Sequence, residues 1–431
     1  MYLGFSDMYK KLLYAVLKCT AVLVVLWTVF FGIMSLTALL PYEWIKPNMQ
    51  KSALMYKDAD MFYSLDGTGG GVIHNYADAV LLGVIEGFDG SKPFYSATDC
   101  AYYRGEQITP GQALYESFEN DPDASYARYW HGMASVVKPL MIFTDVLGIK
   151  ALFGIALGAV CIVYFALLLR KRYYALAVMS AISFALCRVW MAALCIEYFS
   201  CFMLMFVFSS VVIHGKNMPS TAMLFTVFGA LTCFFDFLTC ETVTLCLPLI
   251  CLLHSENKNL KKSFYTLLKC CVGWLSGYSL TFFAKWVIAG MVTGRSISDI
   301  ALNQGVYRMA GDFSGEVFQP AAALAVNLNM MFPFSLFKTP AGIWLTLALT
   351  VFVLFCVWYV FRNEKAESGL MYVMLAVALI PVVRILVVNN HSALHPFMTY
   401  RALFNSIVAV GTGMWSCTRG NFVKIFKKRK I

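Results

Sequence analysis

Four short stretches concentrate the residue types that move protons and bind anions. The first is His74-Asn75-Tyr76-Ala77-Asp78, which follows Asp58, Asp60, Asp66 and the glycines Gly67, Gly69, Gly70 and Gly71. Asp78 suits a catalytic carboxylate, or simply an acidic residue favouring the start of a helix over Asp78–Ile85 that lies on the membrane. The second is Tyr126-Ala127-Arg128-Tyr129-Trp130-His131-Gly132, with Lys138 beyond it. On a helix, Arg128 and His131 share a face and Lys138 lies two turns further on. That describes either a site for a lipid phosphate or an amphipathic interfacial anchor. The third is Phe235-Asp236-Phe237-Leu238-Thr239, with Glu241 close by. Its aromatic neighbours favour Asp236 facing a polar cavity, with a helix cap as the alternative. The fourth runs from Asn389 to Arg401 and holds His391 and His395, four apart. That spacing chelates zinc on a helix, but Pro396 and the lack of a carboxylate partner weaken the case. The pair with Arg401 suits an anionic headgroup better. Arg188 and Glu197 read as a structural pair across one turn. No Ser-His-Asp or Cys-His constellation, no nucleotide-binding loop and no C-x-x-C pair can be assembled.

The elements that must position these residues are apolar. Of 431 residues, 60% are hydrophobic and 13% charged. A soluble domain is about 45–50% apolar and about 25% charged. The composition excludes a soluble enzyme, a disordered chain and a disulfide-stapled domain, and leaves an all-α polytopic membrane protein. Its fourteen cysteines fall almost entirely in or beside apolar runs, as small packing residues, with Cys100 alone in a polar region. Runs near Leu13–Leu40, Ala151–Leu169, Tyr174–Met191, Ala193–Ile213, Thr221–Phe235, Val243–Leu253, Phe264–Ala289, Ile343–Phe361, Leu370–Val388 and Tyr400–Trp415 give about ten spans. The pieces around Phe235–Val243 are short enough to be broken or tilted. The first run exceeds a signal peptide's core and reads as a retained anchor.

The net charge is +10, and half of the 34 Lys and Arg residues fall on one set of connections if the N-terminus is inside. That positive-inside pattern puts both termini in the cytoplasm. Residues 1–431 then form a single integral-membrane domain. It has a folded outer segment at 41–149, a second at 291–339 and a basic tail at 417–431. The excess charge suits membrane lipid and not nucleic acid. No internal repeat of the kind found in many transporters is visible.

On those four stretches, with Asn390-His391-Ser392 and Thr399-Tyr400-Arg401 in the last, the chain resembles the GT-C superfold of membrane glycosyltransferases. Within that group it looks like the integral-membrane proteins of bacterial surface-polysaccharide loci. The resemblance implies a long first outer loop whose acidic residue acts as base, and a sugar carried on a polyprenyl phosphate. Asp78 or Asp236 would take the acceptor's proton. Arg128, His131 and Lys138, or His391, His395 and Arg401, would hold the donor phosphate. His74, Asn75, Tyr129, Trp130 and Glu241 would contact sugar or acceptor. The acceptor would be a cell-surface glycan or glycolipid. The Asp-Glu pair that protein mannosyltransferases carry after their first span is not evident, so Asp58, Asp60 and Asp66 stay open beside Asp78. No resident cofactor is called for, and the outer acidic residues leave room for a divalent cation. A lipid-linked-sugar flippase and a surface-polymer polymerase or ligase are the alternatives.

Overall fold

The computed structural model describes residues 2–215, 220–255, 259–310, 319–331 and 368–428. The chain enters on α1 (Tyr2–Leu39) and returns through a folded segment of about one hundred residues. That segment carries α2 (Tyr42–Lys57), a hairpin of β1 (Phe62–Ser64) and β2 (Val72–His74), α3 (Asn75–Glu86) and α4 (Pro93–Asp99). It continues through β3 (Ala101–Tyr102), α5 (Pro110–Glu116), β4 (Ala124–Ser125) and α6 (Ala134–Leu140), with β3 antiparallel to β4. Six helices then alternate in direction: α7 (Val146–Arg170), α8 (Tyr174–Leu186), α9 (Ile196–His214), α10 (Thr221–Phe235), α11 (Val243–Ser255) and α12 (Leu260–Thr293). Beyond them lie α13 (Ile297–Ala310), α14 (Pro320–Met331), α15 (Ser368–Val387), the short turns α16 (Asn389–Leu394) and α17 (Pro396–Thr399), and α18 (Phe404–Lys428).

Among the described residues, five helices are long and apolar enough to cross a bilayer: Leu13–Leu39, Val146–Arg170, Ile196–His214, Leu260–Thr293 and Gly369–Val387. The protein is a mostly helical, membrane-embedded chain. Helices α8, α10 and α11 are apolar but have 13, 15 and 13 residues. At ~1.5 Å per residue, 13 residues cover about 20 Å of a hydrocarbon core about 30 Å thick. Packing among longer neighbours removes the need for each to span alone. Among the described residues the count by length is therefore five, not the expected ten. The expected run Ile343–Phe361 lies outside the described residues, as do 311–318 and 332–339 of the second outer segment. Tyr400–Trp415 begins in a 3-10 turn, Tyr400–Leu403, before α18. The expected tail at 417–431 begins as a continuation of that helix.

Small residues bring α10 and α12 together. A Cβ on Gly277 would stand 2.0 Å from the Thr226 carbonyl oxygen, and one on Gly229 2.0 Å from that of Trp274. Only bare backbone allows α10 and α12 this approach, the packing mode of helices in lipid. Outward, Ile155 and Ile162 of α7 are 70% and 71% exposed, which suits lipid contact rather than water.

Alternation places every described polar connection of consequence at one end of the helices. There the 41–149 segment, the turn between α10 and α11, α13, α14 and the turns before α18 meet. The 41–149 segment is folded and packs against the helices, with some of its residues in the core. Lys285 of α12 is fully buried and donates to the Ala97 and Thr98 carbonyls at 3.1 and 2.9 Å, closing the C-terminus of α4. Asp145 caps α7 by accepting from the Leu147 and Gly148 amides.

Candidate functional site

Two buried carboxylates organise this end of the molecule. Asp78 lies in the first turn of α3 and is fully buried. Its Oδ2 meets Lys150 Nζ at 2.7 Å and the Tyr56 hydroxyl at 3.2 Å, and its Oδ1 accepts from the Ile196 amide at 2.9 Å. The helix over Asn75–Glu86 exists and is packed against α2, α5, α6 and α9. Asp78 ties three elements together, with its charge matched by Lys150.

Asp236 follows the last residue of α10, in the turn outside the apolar helices. It accepts from the Leu238 amide at 2.9 Å, the Thr239 amide at 3.2 Å and the Thr239 hydroxyl. No Lys or Arg forms an ion pair with it among the described residues. Burial, and then the negative charge of Glu241, push its carboxyl up to about 7. Glu241 itself is locked to Arg384 of α15, at 2.8 Å to Nε and 3.3 Å to Nη2. Arg384 also donates to the Leu238 carbonyl at 2.9 Å and the Ser392 hydroxyl at 3.0 Å. This clamp fixes the Asp236 turn against α15 and α16.

Around Asp236 the other candidates gather. The Gly132 amide donates to the Phe234 carbonyl at 2.9 Å and brings residues 126–132 beside the turn. These residues form no helix: His131 has φ 55°, and Trp130 is buried with Nε1 donating to the Thr281 carbonyl at 2.8 Å. The expected amphipathic interfacial helix is thus replaced by a buried turn followed by α6. The His131 ring lies 4.8 Å from that of Phe237, and burial holds its imidazole down at about 3, so it is neutral. Arg128 lies over the Tyr126 ring at 4.4 Å and the Tyr129 ring at 5.4 Å, and Arg308 of α13 reaches the same Tyr129 ring at 5.6 Å. Arg128 Nε and Arg308 Nη1 are buried without a hydrogen-bond partner among the described residues. Neither guanidinium forms an ion pair with a carboxylate among them.

His391 and His395 are neighbours, with ring centroids 5.0 Å apart, and His391 Nδ1 lies 3.5 Å from Arg384 Nη2. Burial lowers both imidazoles, His395 to about 4, with Arg308 and Arg384 adding to the effect. His74 bonds Glu197 at 2.6 Å and stacks on Phe62, Tyr76 and Tyr198, with the Phe397 edge on its other side. Arg401 is fully buried over the Tyr198 ring at 4.5 Å and donates to the Gly70 carbonyl at 3.2 Å and to the Phe397 carbonyl. The glycine run thus makes a 3-10 turn, Gly69–Gly71, whose carbonyl anchors Arg401 and Tyr400.

So His74, Arg128, Tyr129, His131, Asp236, Glu241, His391, His395 and Arg401 come together. Asp78, Asn75, Trp130 and Lys138 do not. Asn75 latches the Asp60 carbonyl at 2.7 Å. Lys138 points to the Ala38 carbonyl at 3.4 Å, and burial lowers its ammonium to about 8. Arg188 pairs with Asp66 at 2.9 Å rather than with Glu197, which corrects the expected pair. Sequence reasoning missed the placement of Glu197 and all of Arg308, Lys150 and Lys285. Lys150 had a faint signal as a lone cation opening an apolar run. Among the described residues, no three His, Cys, Asp or Glu side chains gather to hold a metal ion. Cys100, expected in polar surroundings, is buried.

Set against protein-family profiles, curated proteins and solved structures, the chain finds no match.

Proposed function

We propose that the protein is a membrane glycosyltransferase that moves a sugar from a polyprenyl-phosphate donor to a cell-surface glycan or glycolipid on the outer face of the membrane. The observation that carries this reading is that, among the described residues, Asp236 has no ion-paired cation and the guanidiniums of Arg128 and Arg308 in the same cluster have no carboxylate. Half-buried guanidiniums, each with a buried nitrogen that lacks a partner among the described residues, favour an anionic ligand, and a phosphate fits two of them. A carboxyl held near neutrality is matched to taking a hydroxyl proton at physiological pH.

In the proposed reaction Asp236 accepts the acceptor's hydroxyl proton. The freed oxygen forms the new bond at the anomeric carbon as the bond to the donor phosphate breaks, with inversion. The electron pair leaves on the phosphate, where Arg128 and Arg308 stabilise it. Neutral His391 and His395 offer N–H donors without bringing further charge. Arg384 and Glu241 hold the turn that aims Asp236. Asp78 moves from first candidate base to a structural role, because Lys150 already neutralises it. A flippase needs polar groups through the bilayer midplane, and here they collect at one end of the helices.

The test is sugar transfer by membranes containing the protein, supplied with labelled polyprenyl-phosphate sugars. The reading expects incorporation that depends on the chain and on a monophosphate donor. Incorporation from a diphosphate-linked donor only would favour a polymerase or ligase. No transfer from any donor, with cysteine labelling of the cluster from both sides, would favour a flippase.

A further inference from the structure

The face of α3 that carries Tyr76, Ala79, Val80 and Gly83 lines a cavity. A cleft of about 620 Å³ opens between Tyr76 and Gly83 of α3, Tyr102 of β3 and the loop that leads to α5. Its polar wall is Tyr103, Arg104, Glu106 and Asp123. The volume falls in the range of ligand cavities, about 300–1,000 Å³.

The wall is held in shape. The Asp123 carboxylate accepts from the Arg104 amide at 2.6 Å and the Gly105 amide at 3.1 Å. Gly105 and Gln107 turn the chain with φ 65° and 57°. A capping box of Thr109 and Gln112 then anchors the far wall at the start of α5. A site fixed before binding loses less on ordering.

The cleft also leads somewhere. Tyr76, 44% exposed at its mouth, stacks on Phe62 at 5.9 Å and on His74 at 6.0 Å. Phe62 and His74 each meet the Phe397 edge, at 5.6 and 5.1 Å, and the Phe397 ring lies 5.9 Å from His395. A continuous row of rings therefore runs from the cleft to the histidine pair beside Asp236.

We infer that this cleft and its aromatic row bind the acceptor oligosaccharide and lead its end to Asp236. Sugars present an apolar face of C–H groups and a rim of hydroxyls. Tyrosine rings accept the first, and the charged groups Arg104, Glu106 and Asp123 bond the second. A lipid chain would leave those charged groups unmet, and a free phosphate would meet Glu106 and Asp123 as like charges. The direction of the track rests on the transfer reading above; binding in the cleft does not.

The experiment uses the full chain in detergent on a printed array of bacterial surface oligosaccharides, with Tyr103→Ala, Glu106→Gln and Asp236→Asn beside wild type. Wild type is expected to be retained, the two cleft variants to lose about tenfold or more in affinity, and Asp236→Asn to bind as wild type. Tyr103 and Glu106 sit on a half-buried to exposed loop, and equal melting temperatures confirm that the variants are folded. Absence of retention on every oligosaccharide, or equal retention by the cleft variants, overturns the inference. Glycan binding without any sugar transfer would sink the transferase reading and leave the cleft standing. Transfer with an unchanged acceptor KM in Tyr103→Ala would do the reverse.

Discussion

Asp78 and Asp236 are both sealed from solvent at the same end of the helices, and their surroundings are opposite. Asp78 has a lysine at 2.7 Å, a tyrosine hydroxyl and a backbone amide. Asp236 has backbone amides and a threonine hydroxyl, with acidic Glu241 and Glu197 as neighbours and an Arg384 guanidinium that is bonded to Glu241 instead. The first arrangement fixes a negative charge and uses it to join α3, α7 and α9. The second leaves the charge unpaid, so the carboxyl holds its proton until about neutral pH. Burial alone does not set the charge of a carboxylate; whether a cation pairs with it does.

Breaking each site in turn tests this contrast. Asp236→Asn should lower transfer by ~10²–10⁴-fold, the range of a lost general base, while Asp78→Asn at matched folded amount should keep most of it. Initial rates in membranes read both. Next, Lys150→Ala leaves Asp78 as an uncompensated buried charge and should cost about 3–5 kcal/mol. Adding Asp78→Asn to Lys150→Ala should restore most of that, measured by thermal unfolding in detergent. A double variant no more stable than Lys150→Ala alone would mean that the pair is not coupled.

The pH dependence should be one-sided. If Asp236 is the base proposed above, it acts in its deprotonated form, and the rate should rise about tenfold per pH unit below about 7 and level off above it. His391 and His395, held below their ordinary range, stay neutral across that rise. Glu241→Gln removes one of the charges that raise Asp236, so the midpoint of the pH–rate profile should move down by a fraction of a unit, the smallest of these effects on transfer. The same change leaves Arg384 without its buried carboxylate, so a loss of thermal stability should accompany it.

The helical membrane character and the approximate boundaries of the apolar elements were legible in the sequence, because hydrophobic runs need only composition and length. So was the grouping of reactive residue types into four stretches. Their pairing was not. Whether Glu197 meets Arg188 or His74 depends on how β2 sits against α9, which no local spacing encodes. Residues 126–132 carry helical spacing of Arg128 and His131, yet the buried Trp130 and the Gly132 amide draw them into a turn against α10. Lys150 and Lys285 stood alone in apolar runs, and their partners come from segments 72 and about 187 residues away. Gly273 and Gly277 carried the close-packing spacing of membrane helices, but nothing local named α10 as the partner.

The most direct measurement is the titration of Asp236 itself, by the infrared carbonyl band of a protonated carboxylic acid in wild type minus Asp236→Asn. The account predicts a band present in mildly acidic buffer that disappears with a midpoint near pH 7. A band already gone by about pH 5, as for an ordinary aspartate with its reference value near 3.9, would contradict it.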